Sequence, residues 1–189
     1  MKQGASKPDL GSMPSSAAME TVDEQFVEAP PLKVFDIVSQ VERWPEHLRH
    51  YRYVRFRRRD TGGGGLVEMS AYRPFPLGPK EAARLDWPTW WLSEMALNPE
   101  KPAIRFRHVG GITKGMEVEW TFVEQRGRTL ARIVHLWEGP RWPLIGKRAG
   151  SHVIGPVFIH GIASRTLAGL AEVAEREARH INVTNREVQ

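Results

Sequence analysis

The sequence predicts a single α+β domain in which antiparallel strands pack on one long C-terminal helix. Two observations predict this class. In AIRFRHV and MEVEWTF, between residues 103 and 122, apolar and polar residues alternate, which is the period of half-buried strands. From Val153 to about Glu177 apolar residues instead recur every three to four positions, the period of an amphipathic helix. A run of strands followed by one long helix is typical of an α+β domain.

Composition and charge limit the classes of protein that the sequence fits. A chain of 189 residues, 41% of them apolar, can bury one sizeable core. The lack of cysteine excludes disulfides, thiolate metal ligands and cysteine nucleophiles. We see no apolar signal region and no stretch suited to a membrane span, so we expect a cytoplasmic protein. The net charge of +5 leaves nucleic acid, anionic lipid and anionic small molecules open as partners.

The chain divides into three parts by composition. Residues 1–19 are rich in Ser, Gly, Pro and Ala without periodicity, which predicts a disordered leader. We expect the folded domain to span residues 20–181. A flexible tail is expected over residues 182–189.

A strand and two short helices open the predicted domain. Val22 and Phe26 share one face of a strand that Pro30-Pro31 ends. Apolar residues then recur at helical spacing, at Leu32, Phe35, Val38 and Val41. We expect Trp44-Pro45 to break this helix, because a residue before proline is displaced from the α region, and a second short turn to follow.

A hairpin and three further strands make up the predicted sheet. The letters YRYVRF predict a strand, TGGGG a turn and LVEMSAYR the returning strand. Alternation in the first of these strands places Tyr51 and Val54 on opposite faces. The later segments AIRFRHV, MEVEWTF and TLARIVHLWE predict three more strands.

Two histidines lie on apolar faces of these later strands. His108 shares a face with Phe106, and His135 shares one with Trp137, on strands that we expect to be adjacent. Histidine changes charge near neutral pH, so one hypothesis makes the pair a general acid and base. The alternative is that both are hydrogen-bonded histidines of the protein interior.

The order of elements and three segments carry a resemblance to a known family. These segments are VFDIVSQVERWPEHLRHY, NPEKPAIRFRHVGGITKGMEVEWTF and VFIHGIASRTLAGLAEVAE. Over about residues 20–177 the chain resembles the START-like helix-grip superfamily, and within it the polyketide cyclase/dehydrase and aromatase/cyclase branch. The resemblance implies a curved antiparallel sheet wrapped around the C-terminal helix, with two short helices after the first strand. It also implies a deep apolar cavity for a hydrophobic or aromatic small molecule, but no single chemistry.

The resemblance assigns residues to that cavity. Aromatase/cyclases similar to this sequence carry a Trp-Pro-Glu followed by a Tyr, and a strand with Met-x-x-x-Trp. The matching residues here are Trp44, Tyr51, Met116 and Trp120. Those enzymes also carry a Ser-x-Arg whose Arg is assigned to a carbonyl or enolate, and a second basic residue that corresponds to His108. Here Ser93 is followed by Met95, so the charge that would stabilise an enolate is missing.

The sequence therefore gives a set of candidate site residues. The candidate catalytic residues are Tyr51, His108 and His135. The candidate ligand-binding residues are Trp44, Arg73, Trp91, Ser93, Met95, Phe106, Met116, Trp120, Trp137, Ile162 and Thr166. Arg73 is expected at the mouth of the pocket, or on the surface. Trp87, Trp90 and Trp91 form a lid, a pocket wall or plain core.

Three functions remain open on the sequence alone. The leading one is binding of a hydrophobic or aromatic small molecule, with polyketide cyclase/dehydrase-type chemistry if the protein is an enzyme. The second is a non-catalytic lipid or quinone carrier, which Met95 favours. The third is a nucleic-acid-binding domain, but no binding motif accompanies the arginines between Trp44 and Asp60, so no nucleic acid is expected.

Those arginines also predict weak contact with an anionic membrane. We expect no metal, since His47, His50 and Glu46 lack a further ligand at a diagnostic spacing. No cofactor and no protein partner are expected either.

Overall fold

A seven-stranded antiparallel sheet and three helices form the parts of the chain that the computed structural model describes, residues 9–76, 84–139 and 155–187. The strands are β1 (Met19–Val27), β2 (Tyr51–Arg59), β3 (Gly65–Pro76), β4 (Arg84–Asn98), β5 (Ala103–Gly111), β6 (Glu117–Gln125) and β7 (Arg128–Trp137). The helices are α1 (Pro31–Ser39), α2 (Trp44–His47) and α3 (Gly155–Glu187). The sheet order β1-β7-β6-β5-β4-β3-β2 makes β1 and β2 the edges. The predicted helix-grip fold is thereby confirmed.

Strand β1 is present, but its buried face differs from the apolar pair that predicts it. Met19, Asp23 and Val27 are buried, whereas Val22 and Phe26 lie on the exposed face. Every residue of β1 pairs with β7, from Met19 opposite Trp137 to Val27 opposite Thr129. The spacing of Val22 and Phe26 therefore predicts the strand correctly, but these two side chains are not part of the core.

Two short helices follow β1 as predicted, but Trp44-Pro45 begins the second of them instead of breaking the first. Helix α1 ends at Ser39, and a short 3₁₀ turn over Val41–Arg43 follows it. Trp44 has φ −54° and ψ −41°, which are helical angles, and it opens α2. Pro45 lies in the first turn of α2, where its missing N–H has no helical partner to lose.

A β-bulge near the start of β2 changes which of its residues face inward. Tyr51 pairs with Ala71 and Tyr53 pairs with Ser70, so β2 has one more residue than β3 between these pairs. Tyr51 and Val54 are consequently both buried, and the prediction that they occupy opposite faces is wrong. The bulge is what directs the Tyr51 side chain into the interior.

Strands β3 and β4 extend beyond their neighbours as a two-stranded ribbon. Among the described residues, β5 pairs with β4 only as far as Gly111 opposite Trp91, and β2 pairs with β3 only as far as Tyr51 opposite Ala71. The segments Tyr72–Pro76 and Arg84–Trp90 pair with each other past these points. We call these two segments the β3–β4 ribbon.

Part of the predicted leader contacts the outer face of the sheet. Leu10 is only 5% exposed. The backbone carbonyl of Leu10 accepts a hydrogen bond from Arg107, and that of Gly11 accepts one from Arg105. Both arginines also pair with Glu117, so residues near the N-terminus are tied to β5 and β6.

Helix α3 packs its apolar face against the concave side of the sheet. Its buried apolar positions recur at helical spacing, at Ile159, Ala163, Leu167, Leu170, Ala171 and Ala174. The inward side chains of the strands complete one continuous core, to which α1 adds Phe35 in an edge contact with Phe122. Of the described helices, none is long and apolar enough to cross a membrane.

Candidate ligand-binding cavity

A cavity of about 80 Å³ lies between the concave face of the sheet and the N-terminal half of α3. Most of the side chains around it are aliphatic or aromatic. The lining residues are Trp44, Tyr51, Met69, Trp91, Phe106, His108, Thr113, Met116, Val118, Trp120, His135, Ile159, Ile162, Ala163 and Thr166. The cavity therefore has apolar walls with a few hydrogen-bonding groups, which is the usual composition of a small-molecule site.

Strand alternation directs side chains from five neighbouring strands at this cavity. One from each of β3 to β7 is, in order, Met69, Trp91, His108, Trp120 and His135. The register places Met69 directly opposite Trp91 and another lining residue, Val118, directly opposite His135. On the other side, α3 presents Ile159, Ile162, Ala163 and Thr166 at helical spacing.

A chain of aromatic contacts builds one wall. The ring centroids of Trp120 and Trp44 are 5.8 Å apart, and those of Trp44 and Tyr51 are 5.3 Å apart. Tyr51 then contacts Trp91 at 6.2 Å, and Trp91 stacks on His108 at 6.1 Å. Rings held by several neighbours offer a fixed surface to an aromatic ligand, and aromatic pairs at such distances are themselves stabilising.

Tyr51 belongs to a hydrogen-bonded group with Thr166 and His50. The Thr166 hydroxyl lies 2.7 Å from the carbonyl of Ile162, 3.0 Å from His50 Nε2 and 3.4 Å from the Tyr51 hydroxyl. Thr166 has one proton, and the carbonyl can only accept. The Thr166 proton therefore points either to the Ile162 carbonyl or to the Tyr51 hydroxyl, and whenever it goes to Ile162 the Tyr51 oxygen is free to accept from a ligand.

Burial sets the protonation of these groups. It raises the pKa of Tyr51 above its ordinary value, more than the hydrogen bond to Thr166 lowers it. It also lowers the pKa of His50 from 6.5 to about 4, and the charge of Arg165 adds to the effect. At neutral pH Tyr51 keeps its proton and His50 is uncharged.

The two predicted histidines both reach the cavity, but they are not on adjacent strands. His108 lies on β5 and His135 on β7, with β6 between them, so that part of the prediction is wrong. His108 Nδ1 lies 2.7 Å from the Thr113 hydroxyl, and His135 Nδ1 lies 3.3 Å from that of Thr21. Each ring thus has one nitrogen engaged by a threonine.

Both histidines are uncharged at neutral pH. Burial lowers the pKa of His108 to about 3, with a smaller contribution from His135. Burial alone lowers the pKa of His135 to about 3. Since no Asp, Glu, Lys or Arg is among the lining residues of the described chain, the cavity has no net charge at pH 7.

Most of the predicted site residues come together around the cavity. Those that line it are Trp44, Tyr51, Trp91, Phe106, His108, Met116, Trp120, His135, Ile162 and Thr166. Ser93 and Met95 are completely buried on the inward face of β4 and do not line it. The indole of Trp137 donates to the carbonyl of Lys114. The side chain of Arg73 lies outside the described residues.

Five lining residues are missing from the set predicted by the sequence. Met69 and Val118 share strand faces with residues of that set, so alternation could have found both. Ile159 and Ala163 lie one helical turn from Ile162 and Thr166, and helical spacing could have found them. Thr113 lies in the turn after β5, where no periodicity applies. In the described chain no group of three or more His, Asp or Glu could hold a metal ion.

The sequence itself shows the family. Residues 27–153 match the family described as polyketide cyclase/dehydrase and lipid transport. Because the match covers more than half of the 189 residues, the chain belongs to this family. Membership indicates binding of a hydrophobic ligand and leaves the chemistry open.

Solved structures show the same fold. The protein TTHA0849 from Thermus thermophilus has a TM-score of 0.65 at 17% identity, over 84% of this chain and 99% of the other. The Zhui aromatase/cyclase from Streptomyces sp. R1128 has a TM-score of 0.64 at 16% identity, over 83% and 93%. A START superfamily protein from Mycobacterium smegmatis has a TM-score of 0.56 at 15% identity, over 86% and 98%. No curated protein matches the sequence.

Proposed function

We propose that this protein binds a small, uncharged hydrophobic or aromatic molecule that carries a hydroxyl group. The observation that carries the proposal is the absence of charge among the described residues of a cavity walled by aromatic and aliphatic side chains. Transferring an ionised group into such surroundings without a partner is very costly. A neutral hydroxyl, in contrast, can exchange a hydrogen bond with the Tyr51 hydroxyl, which lies 3.4 Å from Thr166.

The cavity volume limits the size of the ligand. Typical small-molecule sites span roughly 300–1,000 Å³, and a cavity of about 150 Å³ holds one benzene. At about 80 Å³ the cavity is smaller than either, so the ligand displaces some wall side chains. Met69 and Met116 suit this role because unbranched methionine adapts its shape readily. We therefore infer a ligand of about one ring, rather than a long polyketide chain.

The pair 4-methylphenol and 4-methylbenzoate tests this proposal, because they have similar shape and differ in charge. We expect the phenol to bind, and to raise the melting temperature in proportion to its occupancy, while the benzoate does neither. Tyr51→Phe should lower the affinity for the phenol by about tenfold, since one buried hydrogen bond is lost. Titration calorimetry and thermal shift measure both effects.

Tyr53→Phe is the matched control. Tyr53 lies on the outer face of β2 and donates to Glu68, so this variant should bind the phenol like the wild type. Equal binding of the two compounds, or no binding of the phenol, would overturn the proposal.

Polyketide cyclase/dehydrase-type chemistry is a second candidate, favoured by the family and by three cavity side chains, Tyr51, His108 and His135, that can move protons. Against it, a histidine with a pKa of about 3 is a weak base at pH 7, and buried Met95 supplies no charge. If the protein is a cyclase, incubation with a linear poly-β-ketone thioester should give ring products by mass spectrometry. His108→Ala should then abolish those products and keep the affinity for 4-methylphenol. Without ring products from the wild type, the non-catalytic lipid or quinone carrier is the better assignment.

A further inference from the structure

The β3–β4 ribbon carries exposed aromatic side chains on both of its faces. Trp87 is 56% exposed, Trp90 is 52% exposed and Tyr72 is 39% exposed. Trp90 and Tyr72 lie on the outer face of the sheet, since Trp90 pairs with Ser70 and successive side chains alternate. Trp87 lies on the opposite face, the one that Trp91 shares.

Exposed aromatic rings set the ribbon apart from the rest of the described surface. Elsewhere Phe26 is the one large exposed aromatic side chain among the described residues, and the other large exposed apolar side chains, Val22, Leu32 and Val123, are aliphatic. A group of exposed apolar side chains marks an interaction site, and Trp and Tyr are the types that concentrate at bilayer interfaces. Backbone groups add to this argument, because beyond the bond from the Tyr72 N–H to the His50 carbonyl no described strand pairs with the outer edges of the ribbon, and a two-stranded ribbon is only marginally stable by itself.

Arginine surrounds the base of the ribbon. The Arg52 guanidinium lies 5.6 Å from the ring centroid of Tyr72 and donates to the Ser70 hydroxyl. Arg52 forms no ion pair within the described residues. Arg55 and Arg57 share a single carboxylate, that of Glu68. The outer face of β2 and β3 is therefore positively charged, with Arg52 at the base of the ribbon and Arg55 and Arg57 further along β2.

We propose that the β3–β4 ribbon docks on the surface of an anionic lipid bilayer. A flat protein partner could cover Trp90 or Trp87 but not both, because they point to opposite faces of the ribbon. A bilayer interface surrounds an inserted ribbon, and Trp and Tyr are the side chains that concentrate there. Strand edges that lack a partner strand in the described part of the chain need water, so the ribbon rests at the level of the headgroups and does not enter the hydrocarbon. Arg52 then faces anionic headgroups.

Docking would also bring the cavity to the membrane. Trp90 points outward on the ribbon, and the next residue, Trp91, lines the cavity. A hydrophobic ligand could then pass between bilayer and cavity without crossing much water. This last step rests on the proposed function, whereas docking itself does not.

Vesicle co-sedimentation of the full chain tests the proposal. We expect binding to vesicles of phosphatidylcholine and phosphatidylglycerol in equal parts, and much weaker binding to phosphatidylcholine alone. Added salt should reduce the binding, because exposed charges are screened. The double variant Trp87→Ala/Trp90→Ala should lose about tenfold or more in vesicle affinity, since two side chains no longer leave water. Arg52→Gln should weaken binding to the anionic vesicles only.

Phe26→Ala is the matched control. Phe26 is exposed on β1, at the other edge of the sheet, and has Arg128 4.4 Å from its ring centroid, as Tyr72 has Arg52. This variant should sediment like the wild type, and circular dichroism should show all variants folded. An equal loss in Phe26→Ala, or no sedimentation with anionic vesicles at low salt, would contradict the proposal.

Binding of single-stranded oligonucleotides through Trp90 and Arg52, without vesicle binding, would assign the ribbon to nucleic acid instead. Tyr51→Phe should leave vesicle binding unchanged, so failure of the cavity proposal is distinguishable from failure of this one.

Discussion

Buried histidines at positions 108 and 135 give the cavity polar groups without charge. Each ring has a threonine hydroxyl at one nitrogen, which satisfies part of its hydrogen-bonding capacity inside the protein. Burial, rather than any ion pair, is the main cause of their low pKa values. The same two residues therefore determine the polarity of the cavity and make the folded state sensitive to acid.

We expect the free energy of unfolding to fall as pH decreases from 6.5 towards 3. In that range the unfolded chain takes up protons at His50, His108 and His135, whereas the folded chain keeps His50 neutral until about pH 4 and the other two neutral until about pH 3. The unfolded state then binds more protons, so stability is highest above 6.5 and is lost on acidification. Each of these histidines should lower the free energy of unfolding by about 2 kcal/mol as the pH falls from 7 to 5. Urea unfolding at several pH values measures the slope.

Substitutions distinguish the contribution of these histidines to the pH dependence of stability from that of other titratable groups. His135→Gln should make the fall in stability between pH 7 and pH 5 shallower by about a third, because one of the three buried histidines, His50, His108 and His135, no longer titrates. His47→Gln, on α2 and outside the cavity, is the control and should keep the wild-type slope. An identical slope in all three proteins would show that carboxylates, and not the buried histidines, dominate the acid response.

Local features of single elements place the side chains that matter for the site. The bulge in β2 brings Tyr51 inward, and helical angles at Trp44 bring its indole against Tyr51. Near the N-terminus, Leu10 and its neighbours close over the outer face of β5 and β6. None of these features follows from a regular hydrophobic period in the sequence. Each of them nevertheless determines how side chains pack in one part of the domain.

The contact of Leu10 with the sheet should contribute to stability. Leu10→Ala removes a nearly fully buried side chain and should lower the free energy of unfolding by about 2–3 kcal/mol. The control Leu32→Ala changes the same residue type at an exposed position of α1 and should alter stability by less than about 0.5 kcal/mol. Urea unfolding of both variants gives the comparison. Equal, small effects would mean that residues near the N-terminus do not hold the sheet in solution.

Across the whole molecule, the regular elements could be predicted and the irregular ones could not. Alternation predicts β5, β6 and β7, and helical spacing predicts α1 and α3, because one face of each is buried. The inward face of β1 could not be read, since Val22 and Phe26 are apolar but exposed. The bulge at Tyr51 depends on pairing with β3, which is not encoded in the local sequence of β2.

The residues of the candidate site also divide into those on regular elements, which could be predicted, and those in irregular segments, which could not. Residues on periodic elements, such as Phe106, Trp120 and Thr166, could be assigned to the cavity from spacing and from the family resemblance. Thr113 could not, because it lies in a turn. The volume of the cavity was also beyond prediction, since it depends on how the rings of several elements pack against one another.

Five of the seven tryptophans form two groups that differ in environment. Trp44, Trp91 and Trp120 surround the cavity, whereas Trp87 and Trp90 face solvent on the ribbon. Indole emission responds to the polarity around the ring, so the molecule contains two optical reporters at separate places. A soluble quencher should reach the ribbon group and leave the cavity group bright, while a ligand in the cavity changes the second group alone. Intrinsic tryptophan fluorescence can therefore measure ligand binding in the cavity and docking of the ribbon without any attached dye.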